Sequence, residues 1–335
     1  MRQTRGIKKI AAVLTVALAL TAGLSACGES ESGVKVYKVG VTQFADHPSL
    51  DNCREGFVRG LENGGYTVGV NVEIETKSAQ GDMAMATQIA QSFVNGGMDL
   101  LCGIATPSAQ SLYAMAMEKN IPVIFNAVSD PISAKLAVSA TENMKGITGV
   151  SDELPVEAQL QLIREMLPEA MKIGILYTTS ETNSISTLET YRALAPEYGF
   201  EIVAKGIGKQ AEILQALDVL IASGIDCVSN MTDNTVVSAL GVILDRTAQN
   251  SIPVFGSEEE QVVNGCIASA GLDYVKLGIQ AGEMAAKVLD GQDISAINFE
   301  KLKESKIAVN AAVAESLGVT VSDELEAKAE LVIKQ

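Results

Sequence analysis

The sequence predicts an α/β protein of two similar lobes, each built on a doubly wound parallel sheet. The prediction rests on three pairs of similar segments that occur in the same order in the two halves of the chain. One pair is a short strand led by lysine, one runs from a strand through a polar loop into a helix, and one contains Ile-Pro-Val. The pairs are Lys38–Val41 with Lys172–Ile175, Gly97–Ser111 with Gly224–Ala239, and Asn120–Phe125 with Ser251–Phe255.

The stretch Gly97–Ser111 shows why a strand followed by a helix is expected. Met98–Ile104 is a short apolar run without proline, which is typical of a strand buried on both faces. Thr106 then favours an N-cap, and Pro107 favours the first helical position. Because parallel sheets bind ligands beyond the carboxyl ends of their strands, we expect the polar loops of both halves to face a common cleft.

The N-terminal residues have the features of a secretory lipoprotein signal. Basic residues precede the apolar run Ile10–Leu20, which is shorter than the roughly 20 residues that span a bilayer. The ending Leu24–Cys27 resembles the bacterial lipobox, which implies that Cys27 is lipidated and anchors the mature chain to the membrane. The small polar segment Gly28–Gly33 is expected to be a flexible tether.

Composition excludes one large class of partners. Loss of residues 1–26, which carry four basic and no acidic residues, changes the formal net charge from −16 to −20. A surface this acidic repels the phosphate backbone, so we expect no nucleic-acid partner. The hydrophobic fraction of 47% in 335 residues is typical of sizeable α/β cores rather than of disorder.

His47 is the only histidine, and it lies in the polar loop after the first strand. A metal site there would need partners such as Asp46, Asp51 or Cys53, and the spacing matches no recognised metal motif. We therefore expect no metal and no cofactor, and we expect His47 to be a solvated or ligand-facing side chain. The cysteines of the mature chain are scattered, so their spacing nominates no disulfide. Those after the lipobox are Cys53, Cys102, Cys227 and Cys266.

The first half begins with a strand at Val36–Val41, followed by the polar loop Thr42–Asp51. Asp51 is expected to cap a helix that runs to about Asn63. The other expected elements of this half are a strand at Val70–Lys77, a helix capped by Asp82 and ending at Val94, a helix at Ser108–Glu118, a strand at Pro122–Phe125, a helix capped by Asp130, and a turn-rich crossover at Gly146–Ser151.

The second half is expected to repeat this alternation of strands and helices. Its expected strands are Lys172–Tyr177, Phe200–Ala204, Cys227–Asn230, Val254–Phe255, Ile267–Ala270 and Lys306–Val309. Its expected helices are Pro155–Leu167, one from the loop Thr178–Ser186 to about Tyr198, one from Tyr274 to about Leu289, Asn310–Leu317, and one capped by Ser322.

The polar loops offer groups that suit a zwitterionic amino acid. The helix N-termini after Thr106 and Ser129 present backbone N–H groups that could hold a carboxylate. Asp233, Glu258 and Asp273 could pair with an ammonium group, or each could be a plain helix cap. The other candidate ligand-binding residues also follow strands: Gln43, Phe44, Ser108, Asp130, Asn183, Ser184, Thr232, Asn234 and Ser257. Candidates for a side-chain pocket are Phe44, Met231 and Phe125, although Phe125 could be core.

Together with the lipobox, a set of loop motifs resembles the tryptophan/tyrosine-type substrate-binding lipoproteins of ABC transporters. The motifs are Ala-Thr-Pro-Ser at 105–108, Val-Ser-Asp-Pro at 128–131, Thr-Asp-Asn at 232–234, Ile-Pro-Val-Phe-Gly-Ser-Glu at 252–258 and Gly-Leu-Asp-Tyr at 271–274. The resemblance covers essentially the whole mature chain. It implies a type I periplasmic-binding-protein fold, with two lobes joined by three crossovers that close around an amino acid. Glu258 departs from the Asp that this family has at that position.

The resemblance also implies a domain organisation. It places the signal at residues 1–26 and the tether at 27–33. The N-terminal lobe is then 34–148 with 272–300, and the C-terminal lobe is 149–271 with 301–335. The implied partners are a small-molecule ligand and an ABC permease, and we expect a monomer.

The leading function is capture of an aromatic or large apolar amino acid for an ABC importer, outside the cytoplasm. A sugar or nucleoside receptor on the same fold is an alternative, although the absence of Trp and the presence of candidate acids argue against it. A surface sensor or adhesin is a further alternative. An enzyme is not expected, because the chain has no G-x-S-x-G motif and only one histidine.

Overall fold

Two sheets form the framework of the protein. The computed structural model describes residues 35–302 and 304–334. The first sheet has the spatial order β13-β7-β4-β3-β1-β2, with β1 at Tyr37–Gln43, β2 at Val72–Ser78, β3 at Leu100–Ile104, β4 at Val123–Asn126, β7 at Ile147–Ser151 and β13 at Glu300–Lys301. The second has the order β15-β14-β12-β11-β10-β8-β9, with β8 at Lys172–Thr178, β9 at Glu201–Ile207, β10 at Cys227–Ser229, β11 at Val254–Gly256, β12 at Ala268–Gly271, β14 at Lys306–Asn310 and β15 at Leu331–Ile333.

Helices alternate with these strands along the chain. They are α1 (Pro48–Asn63), α2 (Met83–Asn95), α3 (Thr106–Ala116), α4 (Val156–Met166), α5 (Thr182–Leu194), α6 (Ile213–Ala222), α7 (Asn234–Val237), α8 (Leu240–Ala248), α9 (Glu259–Val263), α10 (Tyr274–Leu289), α11 (Ala311–Ser316) and α12 (Asp323–Lys328). Short 3-10 helices lie at Met117–Lys119, Ala195–Tyr198, Gln210–Glu212 and Ile294–Ala296, and a small hairpin pairs β5 (Ala137–Ser139) with β6 (Glu142–Asn143).

The predicted α/β class with two doubly wound lobes is confirmed. Each strand pair in the first sheet is parallel, and the five residues of β3 are all buried, as the apolar run Met98–Ile104 indicates. The second sheet departs from this pattern at one place in the described residues. Strand β14 runs antiparallel to β12, because the chain enters it directly from the other sheet instead of through a crossover helix.

The chain passes between the two sheets three times: after β7, between β12 and α10, and between β13 and β14. The lobe boundaries stay a prediction, although β7 (Ile147–Ser151) extends past the expected division at residue 148. The segment Gly146–Ser151 is thus mostly a strand and not a crossover loop. Gly149 in this strand is required by packing, because a Cβ there would lie 1.9 Å from the carbonyl oxygen of Phe125 on β4.

Helix α1, which follows β1, packs against helix α10, which follows the second crossing. The backbones of the two helices are in contact. A Cβ on Gly56 would lie 2.2 Å from the Val275 carbonyl oxygen, and one on Gly278 would lie 2.3 Å from the Cys53 carbonyl oxygen. Gly60 has an equally close contact with the opposite helix. These glycines allow a helix spacing that a side chain would prevent, so α10 is held against the first lobe.

Several helix starts differ from the sequence prediction. Helix α1 begins at Pro48 with His47 at its N-cap position, so Asp51 lies in the first turn and is not the cap. Thr106 is the first residue of α3 and not its N-cap; that position is Ala105, whose φ of 72° lies in the left-handed region. No helix follows Asp130, whose Oδ1 accepts hydrogen bonds from the backbone N–H groups of a turn. In each place a polar residue and a proline mark a chain reversal without fixing its type.

Other local predictions are confirmed. The Asp82 carboxylate accepts a hydrogen bond from the Met85 N–H and caps α2, and Ser322 caps α12. The four cysteines after the lipobox are free and buried, which answers the open question of a disulfide. Cys27 lies outside the described residues. Within the described ranges, no helix combines the length and apolar character needed to cross a membrane.

Candidate ligand site between the two sheets

A cavity lies where the carboxyl ends of the strands of the two sheets face each other. On the first lobe, the loops after β1, β3, β4 and β7 line it, and on the second lobe the residues after β8, β10 and β11 do so. The space open to water within it is only about 20 Å³, so the closed cavity is nearly sealed. A larger ligand therefore enters only when the two lobes separate.

Contacts between the lobes hold this narrow arrangement. Ser186 Oγ donates a hydrogen bond of 2.5 Å to Asp130 Oδ2, and Asn52 Nδ2 donates one to Glu260. The hydroxyl groups of Ser129 and Thr232 lie 3.4 Å apart across the cleft. Each of these pairs joins a loop or helix of the first lobe to a loop or helix of the second, so the structure has a closed cleft.

One end of the cavity, which we call the inner end, is built around Asp152. This carboxylate is 3% exposed, and it follows β7 at the first crossing between the lobes. Ser129 Oγ donates to its Oδ1 at 3.0 Å, and the Tyr274 hydroxyl donates to its Oδ2 at 2.8 Å. Burial raises the pKa of Asp152, while the two hydroxyl donors oppose the rise because they stabilise the ionised form.

The other end, which we call the outer end, contains Glu258, His47 and Ser49. These residues also line a neighbouring vestibule of about 290 Å³. Glu258 is 1% exposed, and burial together with the nearby Glu260 carboxylate raises its pKa well above the usual range. Glu258 occupies the N-cap position of α9 without a side-chain capping bond, so it is not a plain cap.

Many polar atoms that face the cavity have no hydrogen-bond partner among the described residues. They are Ser49 Oγ, Thr106 Oγ1, Asn183 Oδ1, Glu258 Oε2 and both ring nitrogens of His47. Most buried polar atoms in proteins are paired, and an unpaired one costs about 1–3 kcal/mol. Their concentration around one cavity therefore indicates a binding site for a polar molecule.

Half of the residues expected to bind a ligand line the cavity, and half do not. Those that line it are Thr106, Ser129, Asn183, Thr232, Asn234, Ser257 and Glu258. Asn183 and Ser184 lie in the first turn of α5 and not in a loop, because that helix begins at Thr182. The expected residues that do not line it are Gln43, Phe44, Ser108, Asp130, Ser184, Asp233 and Asp273.

Asp233 has a structural place within the second lobe. It is fully buried, and its oxygens accept hydrogen bonds from the Thr178 N–H (2.5 Å), the Thr178 hydroxyl (2.8 Å), the Ser184 hydroxyl (2.6 Å) and the Val236 N–H (2.9 Å). The carboxylate thus caps α7 and joins it to β8 and α5. Its two oxygens accept four hydrogen bonds within the second lobe and Asp233 does not line the cavity, so the structure gives it the place of a cap.

Asp273 is also a cap. It accepts a hydrogen bond from the Lys276 N–H of α10 and pairs with Lys306 Nζ at 3.1 Å. Its pKa is lowered because these donors outweigh burial. Because Lys306 lies on β14, the ion pair connects two of the three crossings between the lobes and does not face the cavity.

The remaining non-lining residues belong to the lobe interiors or to the cleft contacts. The Gln43 amide is held by Ala45 and Arg54, and Phe44 is 2% exposed in the first-lobe core. Phe125 and Met231 are also fully buried core residues, and neither is among the described residues that line this cavity. Position next to a strand end therefore does not by itself show whether a side chain faces the cleft or the core.

The cavity also contains residues that sequence reasoning did not nominate for ligand binding. Asp152 lies in a stretch expected to be a connection, and Tyr274 ends the Gly-Leu-Asp-Tyr motif in which only the Asp was chosen. Ser49 and Gln261 lie in the first turns of α1 and α9. Of these residues, only Tyr274 belongs to a motif that could have indicated a binding role. Asp152 and Ser49 belong to none of the motifs described above.

Taken with the fold, this site defines a two-lobed binding protein that closes around a small polar ligand. Residues 38–333 match the family model of ABC transporter substrate binding proteins. The chain belongs to that family. Its function is therefore that of a substrate-binding protein, which acts outside the cytoplasm with an ABC transporter.

Known relatives agree with this family. A tyrosine-binding protein of Clostridioides difficile (strain R20291) is 38% identical over 276 residues, which cover 82% of this chain and 79% of the relative. The solved structure of an ABC domain in complex with L-Trp from Streptococcus pneumonia is 32% identical, with a TM-score of 0.86, and the match covers 89% of this chain and 100% of that one.

A third relative informs the conformation. The ligand-free, open structure of a substrate binding protein with adhesive properties from Clostridium difficile is 35% identical, and the match covers 90% of this chain and 100% of that one. Its TM-score is 0.68, although its identity is higher than that of the L-Trp complex. The present structure therefore resembles the complexed relative more than the open one, in agreement with its closed cleft.

Proposed function

We propose that this protein captures an aromatic amino acid between its lobes and delivers it to an ABC permease, while Cys27 carries a lipid anchor. The observation that carries the proposal is the cavity with two buried carboxyl groups and several unpaired hydrogen-bonding groups. None of the described residues that line it is lysine or arginine, so the charge of the site favours a ligand with a cationic group.

Asp152 is the proposed partner of the ligand's ammonium group. Hydroxyl donors contact both of its oxygens and favour the ionised form, whereas Glu258 lies beside another carboxylate and favours the protonated form. A carboxylate has about four lone-pair sites, so Asp152 can accept an ammonium group in addition to its two hydroxyl donors. The ammonium group would then neutralise a charge that burial makes costly.

The ligand's carboxylate is proposed to lie at the N-terminus of α3. Thr106 is the first residue of this helix, its hydroxyl has no partner, and the helix N-terminus favours an anion. Ser129 and Thr232 approach the same region from the two lobes. Donors for the carboxylate and an acceptor for the ammonium group thus lie at the ends of neighbouring strands β3, β4 and β7.

The aromatic side chain is proposed from the relatives. One is a tyrosine-binding protein and another was solved with L-Trp, and both share about a third or more of their residues with this chain. A sugar or nucleoside is the alternative ligand. Such ligands have no ammonium group to pair with Asp152.

The test is a titration of the purified protein with L-tyrosine, L-tryptophan, L-leucine, ribose and adenosine. Calorimetry should show binding of the aromatic amino acids, and a thermal scan should show stabilisation by RT ln(1 + [L]/Kd). Binding of ribose or adenosine without binding of any amino acid would replace the proposal by its alternative. Mass spectrometry of ligand released from the purified protein gives an independent readout.

A further inference from the structure

The two ends of the cavity lie far apart on the first lobe. Asp152 follows β7, and His47 lies in the loop after β1, with β4 and β3 between these two strands. Neighbouring strands are about 4.8 Å apart, so the two strand ends are separated by roughly 14 Å. A ligand that reaches both ends therefore needs a polar group at each end of its length.

The outer end has the polar character that the distal group of such a ligand would need. Ser49 is 2% exposed and Glu258 is 1% exposed. The Ser49 hydroxyl approaches the Glu258 carboxyl group, but neither Ser49 Oγ nor Glu258 Oε2 makes a hydrogen bond of normal geometry within the described residues. The ring nitrogens of His47 are inaccessible to solvent. The Asn234 amide approaches the ring from the second lobe, but neither nitrogen makes a hydrogen bond of normal geometry within the described residues.

The protonation states at this end suit a hydroxyl group. Burial lowers the pKa of His47 to about 4, although the carboxylates of Asp51, Glu260 and Asp46 and the Asn234 amide all act to raise it. A neutral imidazole offers one donor and one acceptor, and a protonated Glu258 offers a donor. A hydroxyl group is itself both donor and acceptor. A carboxylate would face the nearby carboxylates of Asp46, Asp51 and Glu260, and an ammonium group could not accept a hydrogen bond from the imidazole or from Glu258.

We propose that His47 is a specificity-determining residue, which together with Ser49 and Glu258 hydrogen-bonds a hydroxyl group at the far end of the ligand's side chain. This inference rests on the proposed function, because it assumes that the amino-acid head lies at Asp152. The site then selects a hydroxylated aromatic side chain over its unsubstituted counterpart. A phenyl ring in the same place would leave the buried groups of the outer end without partners.

The experiment compares the Kd values of L-tyrosine and L-phenylalanine, which differ by one hydroxyl group, for the wild type and three variants. The wild type should bind tyrosine about 10-fold or more tightly than phenylalanine. His47→Phe removes both ring nitrogens and should bring the two Kd values within about threefold, chiefly by weakening tyrosine binding. His47→Asn keeps a donor and an acceptor and should retain part of the preference.

Asp46→Asn is the matched control. It changes a charge beside His47, in the vestibule but outside the cavity, and it should leave the ratio of the two Kd values unchanged. The ratio is insensitive to the fraction of folded protein, because both ligands are titrated into the same sample. Equal Kd values in the wild type, or an unchanged ratio in His47→Phe, would overturn the role of His47 while amino-acid binding stands. A wild type that binds no amino acid would overturn the proposed function as well.

Discussion

Replacement of Asp152 by Asn is the sharpest test of how the ligand is held. The variant keeps the size of the side chain and an oxygen that can accept a hydrogen bond from Ser129 or Tyr274. Among the described residues that line the inner end, it removes the one carboxylate that could pair with an ammonium group. Truncating one partner of a buried hydrogen-bonded charge pair costs about 2–5 kcal/mol, so binding should weaken by roughly 30-fold to several-thousand-fold.

Although Asp152→Asn should weaken binding, it should leave the thermal stability of the ligand-free protein unchanged or raise it. Burial raises the pKa of Asp152, so the folded protein binds its proton more tightly than the unfolded chain does. The stability that this proton contributes is present below the unfolded pKa and is lost as pH rises through the folded pKa. At neutral pH the carboxylate is therefore a cost, and Asp152→Asn should unfold at the same or a higher temperature than the wild type without ligand.

Asp233→Asn is the matched comparison, because Asp233 is buried to a similar degree but has all its partners within the second lobe. An amide oxygen cannot accept every hydrogen bond that the carboxylate accepts, and its N–H₂ group would face donors. We expect a loss of about 1–3 kcal/mol in stability with little change in affinity.

Calorimetric titration with L-tyrosine, beside thermal scans without ligand, separates the two variants. The expected pattern is weak binding with intact stability for Asp152→Asn, and intact binding with reduced stability for Asp233→Asn. The reverse pattern would refute the assignment of the ammonium group to Asp152. Unchanged affinity in both variants would move it to Glu258, the other buried carboxyl group of the cavity.

Three further outcomes follow from the site, the helix packing and the signal segment. Cys27→Ala should move the protein from the membrane fraction to the soluble fraction, because a polar tether offers no other apolar attachment; persistent membrane association would contradict lipid anchoring. Gly60→Val should lower the melting temperature by an amount equivalent to about 1–3 kcal/mol or more, because its Cβ would lie 2.1 Å from the Ile279 carbonyl oxygen. Gly97→Ala is the control: no atom lies near its Cβ, so its only destabilisation is the strain of a left-handed φ. Burial lowers the pKa of His47 from 6.5 to about 4, so its neutral form contributes stability that is lost as pH falls from about 6.5 towards 4. Over that range the free energy of unfolding of the ligand-free wild type should fall by up to about 3 kcal/mol more than that of His47→Phe. Identical pH profiles for the two proteins would argue against a buried imidazole.

The glycine pairs show how local sequence and tertiary contact differ in what they reveal. Gly56 and Gly60 lie four residues apart on α1, as do Gly278 and Gly282 on α10, and such spacing places each pair on one face of its helix. Nothing in either segment says that the two faces meet. Their contact depends on the second crossing, which brings α10 back to the first lobe after more than two hundred residues.

The acidic residues of the loops show the same limit. Asp233, Glu258 and Asp273 all follow strand ends at helix starts, and sequence position ranks them as equal candidates. The structure uses two of them as caps and turns one towards the cavity. A cap and a ligand contact need the same residue types at the same loops, so only the direction of the side chain separates them.

The alternation of strands and helices along the chain, the repeat of two halves and the family motifs were readable from the sequence, because they depend on apolar runs and turn residues within short windows. The position of Asp152 at the inner end, the approach of His47 to Asn234 and the contact of Ser129 with Thr232 were decided by the tertiary structure alone. Each joins segments from different strands or different lobes, and such pairings arise only when the three crossings set one sheet against the other. Chain-local chemistry determines which groups can bind, and the closure of the two lobes determines which of them meet.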